Sequence, residues 1–183
     1  MNKQRCSWVP LHKTHYVRYH DEEWGVPVYD DRRLFEFLIL EGAQAGLSWE
    51  TVLKKRESYG AAFRGFDPEI CATMSDTALE TLTHYNGIIR NRLKIFSVRN
   101  NAAIYLQIQK EFSTFSKYIW GFVAGKPLVN TWTCSTQIPT STSMSDKITR
   151  DHKKRGMNFV GDTIINAFMQ AVGLVNDHTS DCF

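Results

Sequence analysis

The chain has 183 residues, 43% of them hydrophobic and 13% aromatic, which suffices for one good core or for two small lobes sharing a cleft. No apolar run approaches the ~18 residues of a membrane span, and no long apolar segment follows the basic N-terminal residues as a secretory signal requires, so the chain reads as intracellular. The formal net charge of +3 permits a polyanionic partner without requiring one, and the four cysteines (Cys6, Cys71, Cys134, Cys182) read as free, buried or metal-bound rather than paired.

Residues 1 to 30 concentrate Cys6, Trp8, His12, His15, Tyr16, Tyr19, His20, Trp24 and Tyr29 between Pro10, Gly25 and Pro27. That segment has no clear period and predicts a loop with one short helix over residues 13 to 22. Asp30 or Asp31 can cap the next helix. On it Leu34, Leu38, Glu41 and Ala45 share one stripe, with Phe35, Ile39 and Gly42 beside it. A carboxylate therefore stands where the pattern asks for an apolar side chain. Buried alone it costs several kcal/mol or takes up a proton, so it requires a salt bridge, a hydrogen-bond network or a ligand. Gly42 and Gly46 allow close approach or a helix break, and Leu47-Ser48-Trp49 brings a large flat ring near it.

A further helix is predicted over residues 48 to 59. Another starts at Asp67-Pro68 with Ile70, Cys71 and Met74 inside, and a third is capped at Ser75 with Leu79, Leu82 and Tyr85 buried. The chain breaks at Asn86-Gly87 and re-enters a long helix at Ile88, with Ile88, Ile95, Val98, Ala102 and Tyr105 as core contacts. Helix, tight turn and basic helix start form a helix-hairpin-helix pattern over about residues 78 to 99, whose backbone amides at Gly87 and Ile88, with Arg90, suit a phosphate. A plain connection with a C-cap glycine has the same pattern. Residues 112 to 128 give one more helix, and a Ser/Thr-rich connection over 129 to 145 is ordered because Trp132 and Ile138 need burial. Ser143 or Ser145 can cap the helix ending in Lys153-Lys154-Arg155, and Thr163 opens a last apolar helix that Gly173 ends. With no β alternation and no repeat, the fold class reads as all-α.

The head offers one thiol and one imidazole, Cys6 and His20, and the tail another pair, His178 and Cys182. Together they make a Cys2His2 set suited to tetrahedral Zn2+ with every position filled, which makes the site structural rather than hydrolytic. His12 and His15 compete for the head positions, and unligated residues near two termini remain the alternative.

Cys6-Ser-Trp8, Tyr19-His20-Asp21-Glu-Glu-Trp24-Gly-Val-Pro27, Leu40-Glu41-Gly-Ala-Gln-Ala-Gly-Leu-Ser-Trp49, Phe159-Val-Gly161 and Leu174-Val-Asn-Asp-His178 with Cys182 resemble the 3-methyladenine DNA glycosylase I (Tag) family of helix-hairpin-helix glycosylases, from Cys6 to Cys182. The resemblance implies one glycosylase domain over residues 1 to 183. It also implies one structural zinc on Cys6, His20, His178 and Cys182, which joins the segments 6 to 20 and 178 to 182. A base pocket follows with Glu41, Tyr16, Tyr19 and Trp49 at its centre and Trp8 and Trp24 in its walls. Members excise N3-methylated adenine and leave an abasic site. Two departures stand out: Ile89 occupies the place of a second hairpin glycine, and no aspartate stands where most such glycosylases outside this family carry a catalytic one.

Aromatic faces attract a cationic purine by about 0.5 to 2 kcal/mol each, and Glu41, the catalytic candidate, adds an anionic acceptor. Gln44 and Leu47 would wedge the stack emptied by base flipping, while the hairpin holds the phosphate backbone. Water attack at C1' needs no lysine, which implies a monofunctional hydrolase acting on duplex DNA and releasing free 3-methyladenine; a monomer is expected. A non-catalytic lesion-binding protein and a free-purine-binding protein are the alternatives.

Overall fold

The computed structural model describes residues 4–183. Residues 1–3, which the sequence reading counts in the domain, lie outside the described residues. The expected short helix is α1 (Thr14–Glu22), with Tyr19 and His20 on its buried side. Asp30 caps α2 (Asp31–Gln44) by accepting the Arg33 amide. Asp31 is thereby free to accept the amides of Phe115 and Ser116 at 2.8 Å and the Gln109 side chain at 2.6 Å. It fastens the start of α8 (Phe115–Gly121) to that of α2. Every residue of α2 from Leu34 to Ala43 is buried, so the helix runs through the interior and any polar group on it needs a partner or a cavity.

The single helix expected over residues 48 to 59 is two, α3 (Trp49–Leu53) and α4 (Arg56–Ala62). After the break at Lys54-Lys55, Arg56 reaches Glu36 at 2.7 Å and Glu23 at 2.8 Å, and this network outweighs helical continuity. Asp67 and Ser75 cap α5 (Pro68–Ala72) and α6 (Asp76–Leu82) as the sequence predicts. Ile70 and Tyr85 do not belong to the core, being 47% and 40% exposed. The long helix α7 (Arg92–Phe112) begins four residues later than predicted, because Asn91 accepts the Lys94 amide and caps it there. It also runs on to Phe112, after which Ser113 turns at φ 74 and Thr114 caps α8.

Thr142, rather than Ser143 or Ser145, caps α9 (Ser143–Lys154), with Ser145 returning a bond to its amide. Last comes α10 (Asp162–Ala171), which packs on α2 and α9. The all-α expectation needs one correction: β1 (Leu128–Val129) pairs in parallel with β2 (Val175–Asn176). Two residues are too few for alternation to show. Among the described residues no helix is long and apolar enough to cross a membrane.

Gly173 ends α10 as predicted, at φ +69, and there the chain folds against Val26-Pro27. A Cβ at this position would lie 2.4 Å from the Val26 carbonyl carbon and 2.5 Å from the Pro27 nitrogen, both backbone. Gly173→Ala is therefore expected to cost about 3 kcal/mol or more, from positive-φ strain plus a collision that no rotamer relieves. Urea unfolding measures this, and a loss of only a few tenths would show that the two segments can separate.

Candidate active site

Helix α2 delivers Glu41 one turn before its end, 3% exposed, and among the described residues its Oε2 has no hydrogen-bond partner. Among the described residues no arginine or lysine pairs with it, unlike Glu50, which Lys13 and Lys54 hold down at about 2. Burial without a counter-ion pushes Glu41 up to about 8. Burial thereby favours the protonated carboxyl, which presents one donor and one acceptor, over the anion expected from the sequence.

Beside it opens a hollow of about 470 Å3, within the range of small-molecule sites. The structure brings together around it all six aromatic and acidic residues singled out in the sequence: Trp8, Tyr16, Tyr19, Trp24, Glu41 and Trp49, with Gln44 at the edge. Ser48 caps α3 and sets Trp49 as its first residue, turning the indole back toward α1. Its ring centroid lies 5.1 Å from that of Tyr19, and Trp8 packs edge-on to Trp24 at 4.9 Å and to Tyr16 at 5.9 Å. Trp49 Nε1 is buried and, like Glu41 Oε2, has no partner among the described residues. Two unpaired polar atoms on one aromatic hollow suit a flat, polar-edged ligand. Burial raises both tyrosine phenols, so they too stay neutral.

The far wall escapes the sequence reading. Thr163, Asn166 and Gln170 of α10, and Ser135, Ile138 and Pro139 of the preceding connection, also line the hollow. A signal existed for the helix: Thr163, Asn166 and Gln170 recur at helical spacing, and Asn166 is buried although polar. Asn166 donates to Pro139 O at 3.1 Å and so holds one wall to the other. Asp177, buried, accepts from Asn130, Trp132 and Gln170 and ties the same connection to the tail.

The proposed wedge residues stand where α2 ends. Leu47 is 42% exposed and flanks, with Gln44, a second hollow that Glu41 shares. The hairpin between α6 and α7 exposes Arg90, but Ile88 is 2% exposed. Its side chain is the core contact the sequence predicts, leaving its amide, 3.5 Å from Tyr85 O, as the group a phosphate can meet.

Of the metal candidates, Cys6, His20 and Cys182 put their ligand atoms within 4.8 Å of one another. His178 stands beside this group, its ring centroid 5.0 Å from that of His20. Its Nδ1 bonds Asn176 Oδ1 at 2.8 Å; since that oxygen only accepts, Nε2 keeps its lone pair. His12 and His15 are not part of the cluster.

The sequence of residues 8–183 matches the family model for methyladenine glycosylase. The chain belongs to the methyladenine glycosylase family. It is similar to the DNA-3-methyladenine glycosylase 1 of Escherichia coli (strain K12), 50% identical over 98% of this chain and 95% of that one. Its fold superposes on a crystal structure of 3-methyladenine DNA glycosylase I (TAG) with a TM-score of 0.95, at 49% identity over 98% of each chain. A structure of the Staphylococcus aureus 3-methyladenine DNA glycosylase I, which addresses how that protein recognises 3-methyladenine, matches at a TM-score of 0.91 and 36% identity, over 93% of this chain and 90% of that one.

Proposed function

We propose that this protein, working inside the cell as a monomeric single domain, flips 3-methyladenine out of alkylated duplex DNA and hydrolyses its N-glycosidic bond. The products are the free base and an abasic site, without strand cleavage. One observation carries the reading: a buried carboxyl whose Oε2 has no partner among the described residues faces a hollow walled by indoles and phenols. N3-methylation makes the nucleotide's base cationic and a better leaving group, so the pocket need not protonate it. The cation is also the counter-ion that Glu41 lacks, and its arrival favours loss of the carboxyl proton. Tyr19 and Trp49 supply faces for the ring, and the Trp49 N–H donates to the base edge. Adenine brings no charge, leaves the carboxyl protonated and gains less.

Gln44 and Leu47 enter the duplex where the base has left, and Arg90 with the Gly87 and Ile88 amides meets the phosphates. A structural Zn2+ fits the chemistry of the Cys6, His20 and Cys182 donors, with His178 as fourth ligand. His20 is suitably oriented, its Nδ1 lying 2.8 Å from an Asp21 carboxylate that Arg5 holds down at about 2. The metal would fix the aromatic head against the tail.

Incubating the protein with methylated duplex DNA and separating released bases tests the activity. The expected result is free 3-methyladenine, with alkali-labile abasic sites and no spontaneous nicks. Binding to the methylated duplex with no released base would leave only a lesion-binding protein.

A further inference from the structure

Helix α2 ends in a tight turn: Gly46 stands at φ +75 and the Leu47 N–H donates to Gln44 O at 2.6 Å, while Ala45 N–H reaches Gly42 O only at 3.4 Å. A second tie comes from another helix: Lys94 Nζ donates to Ala43 O at 2.9 Å and to Ala45 O at 2.6 Å. A cation on the last carbonyls of a helix satisfies orphan acceptors and opposes the negative end of its dipole. Lys94 itself sits in the first turn of α7, its amide held by the Asn91 cap. One side chain thus joins the start of the hairpin's second helix to the turn that carries Gln44 and Leu47. The same helix also fixes the loop against which Gly42 packs: Asn101 exchanges two 2.9 Å bonds with the Asn158 backbone, beside Phe159 at φ 54. A Cβ on Gly42 would touch Phe159 at 3.3 Å.

We infer that Lys94 is a positioning residue that couples the hairpin's grip on DNA to the Gln44–Leu47 turn, so that the wedge enters the duplex in register with the flipped base. The inference rests on the glycosylase reading. Lys94 does not line the base hollow and touches no reacting atom. Without its charge, two carbonyls at the end of α2 lose their donor and the turn gains freedom, while the pocket one helical turn back keeps its walls.

The test compares wild type with Lys94→Met, which keeps the aliphatic stem, on three readouts. These are single-turnover excision from methylated duplex, tryptophan-fluorescence titration with free 3-methyladenine, and the emission of a fluorescent purine stacked beside the lesion. Expected for Lys94→Met is excision slowed about 10- to 100-fold, as for a misplaced positioning group, with a diminished fluorescent-purine signal. Free-base affinity should stay within about twofold, and Lys94→Arg should recover part of the excision rate. Excision and purine signal at wild-type level would overturn the inference, as would free-base affinity falling in parallel with excision, since that marks a merely structural role. If Lys94→Met does not fold, Lys94→Gln is read by the same criteria. Failure of the wild type itself to release base would instead sink the glycosylase reading.

Discussion

Glu41→Gln is expected to make the protein more stable and less active at once. Burial raises the folded-state value of this carboxyl from 4.5 to about 8, so folding disfavours its ionised form. The sign follows by linkage: the contribution of this carboxyl to stability is full below pH 4.5, is lost progressively as pH rises toward 8, and is flat above. At pH 7 the penalty is about 3 kcal/mol, near 5 above pH 8. An amide of the same shape does not titrate. The variant should therefore match wild type at pH 4, exceed it by about 3 kcal/mol at pH 7, and melt roughly 5 to 10 °C higher there.

Activity should move the other way. Gln keeps one donor and one acceptor, as the protonated acid has, but it cannot become an anion when the cationic base of the nucleotide arrives. Excision of 3-methyladenine is expected to fall about 10- to 100-fold, the worth of a charge-assisted contact. Binding of the free base, which is neutral after release, should fall less. Denaturant melts at pH 4 and 7 beside released-base assays measure both arms. Wild-type excision would remove Glu41 from the mechanism. An unchanged stability difference between the two pH values would show that folding does not raise the pKa of this carboxyl.

Metal removal is the second large effect. The purified protein should contain about one zinc per chain, and stripping it with a strong chelator should lower stability by several kcal/mol, since binding energy at a closed site is folding energy. Unfolding should be partial in character. A backbone bond also ties the two ends, Phe183 N to Gln4 O at 3.0 Å, another holds the tail to the Ser/Thr-rich connection, Ser180 N to Trp132 O at 2.7 Å, and β1 still pairs with β2. The part that loosens is the head, Trp8 and α1, which forms one wall of the hollow. Loss of tryptophan order and of base binding should therefore precede global melting. Cys182→Ala should reproduce the effect and bind zinc weakly. A metal-free protein with unchanged melting and unchanged base binding would reduce the Cys6, His20 and Cys182 cluster to a packing contact.

Much of this was legible in the sequence because it depends on local pattern. The helical period of residues 34 to 45 alone turns Glu41 inward, and Asp30, Asp67 and Ser75 cap the helices whose starts they mark. Ser48 likewise opens the helix that sets Trp49. The density of rings among the first thirty residues required burial somewhere. Hairpin boundaries were less legible: Asn91 outcompetes Ile88 as the start of α7, and Ile88 goes to the core, a choice made by packing rather than propensity.

Only the tertiary structure could decide the rest. Whether Glu41 meets an arginine or an aromatic hollow depends on residues remote in sequence, and the answer sets the direction in which its pKa moves. The far wall from α10, the Lys94 clamp across fifty residues, and the meeting of Cys6 with Cys182 are likewise products of chain topology. Periodicity determines which face of a helix turns inward. What that face encounters there is settled by how the helices pack.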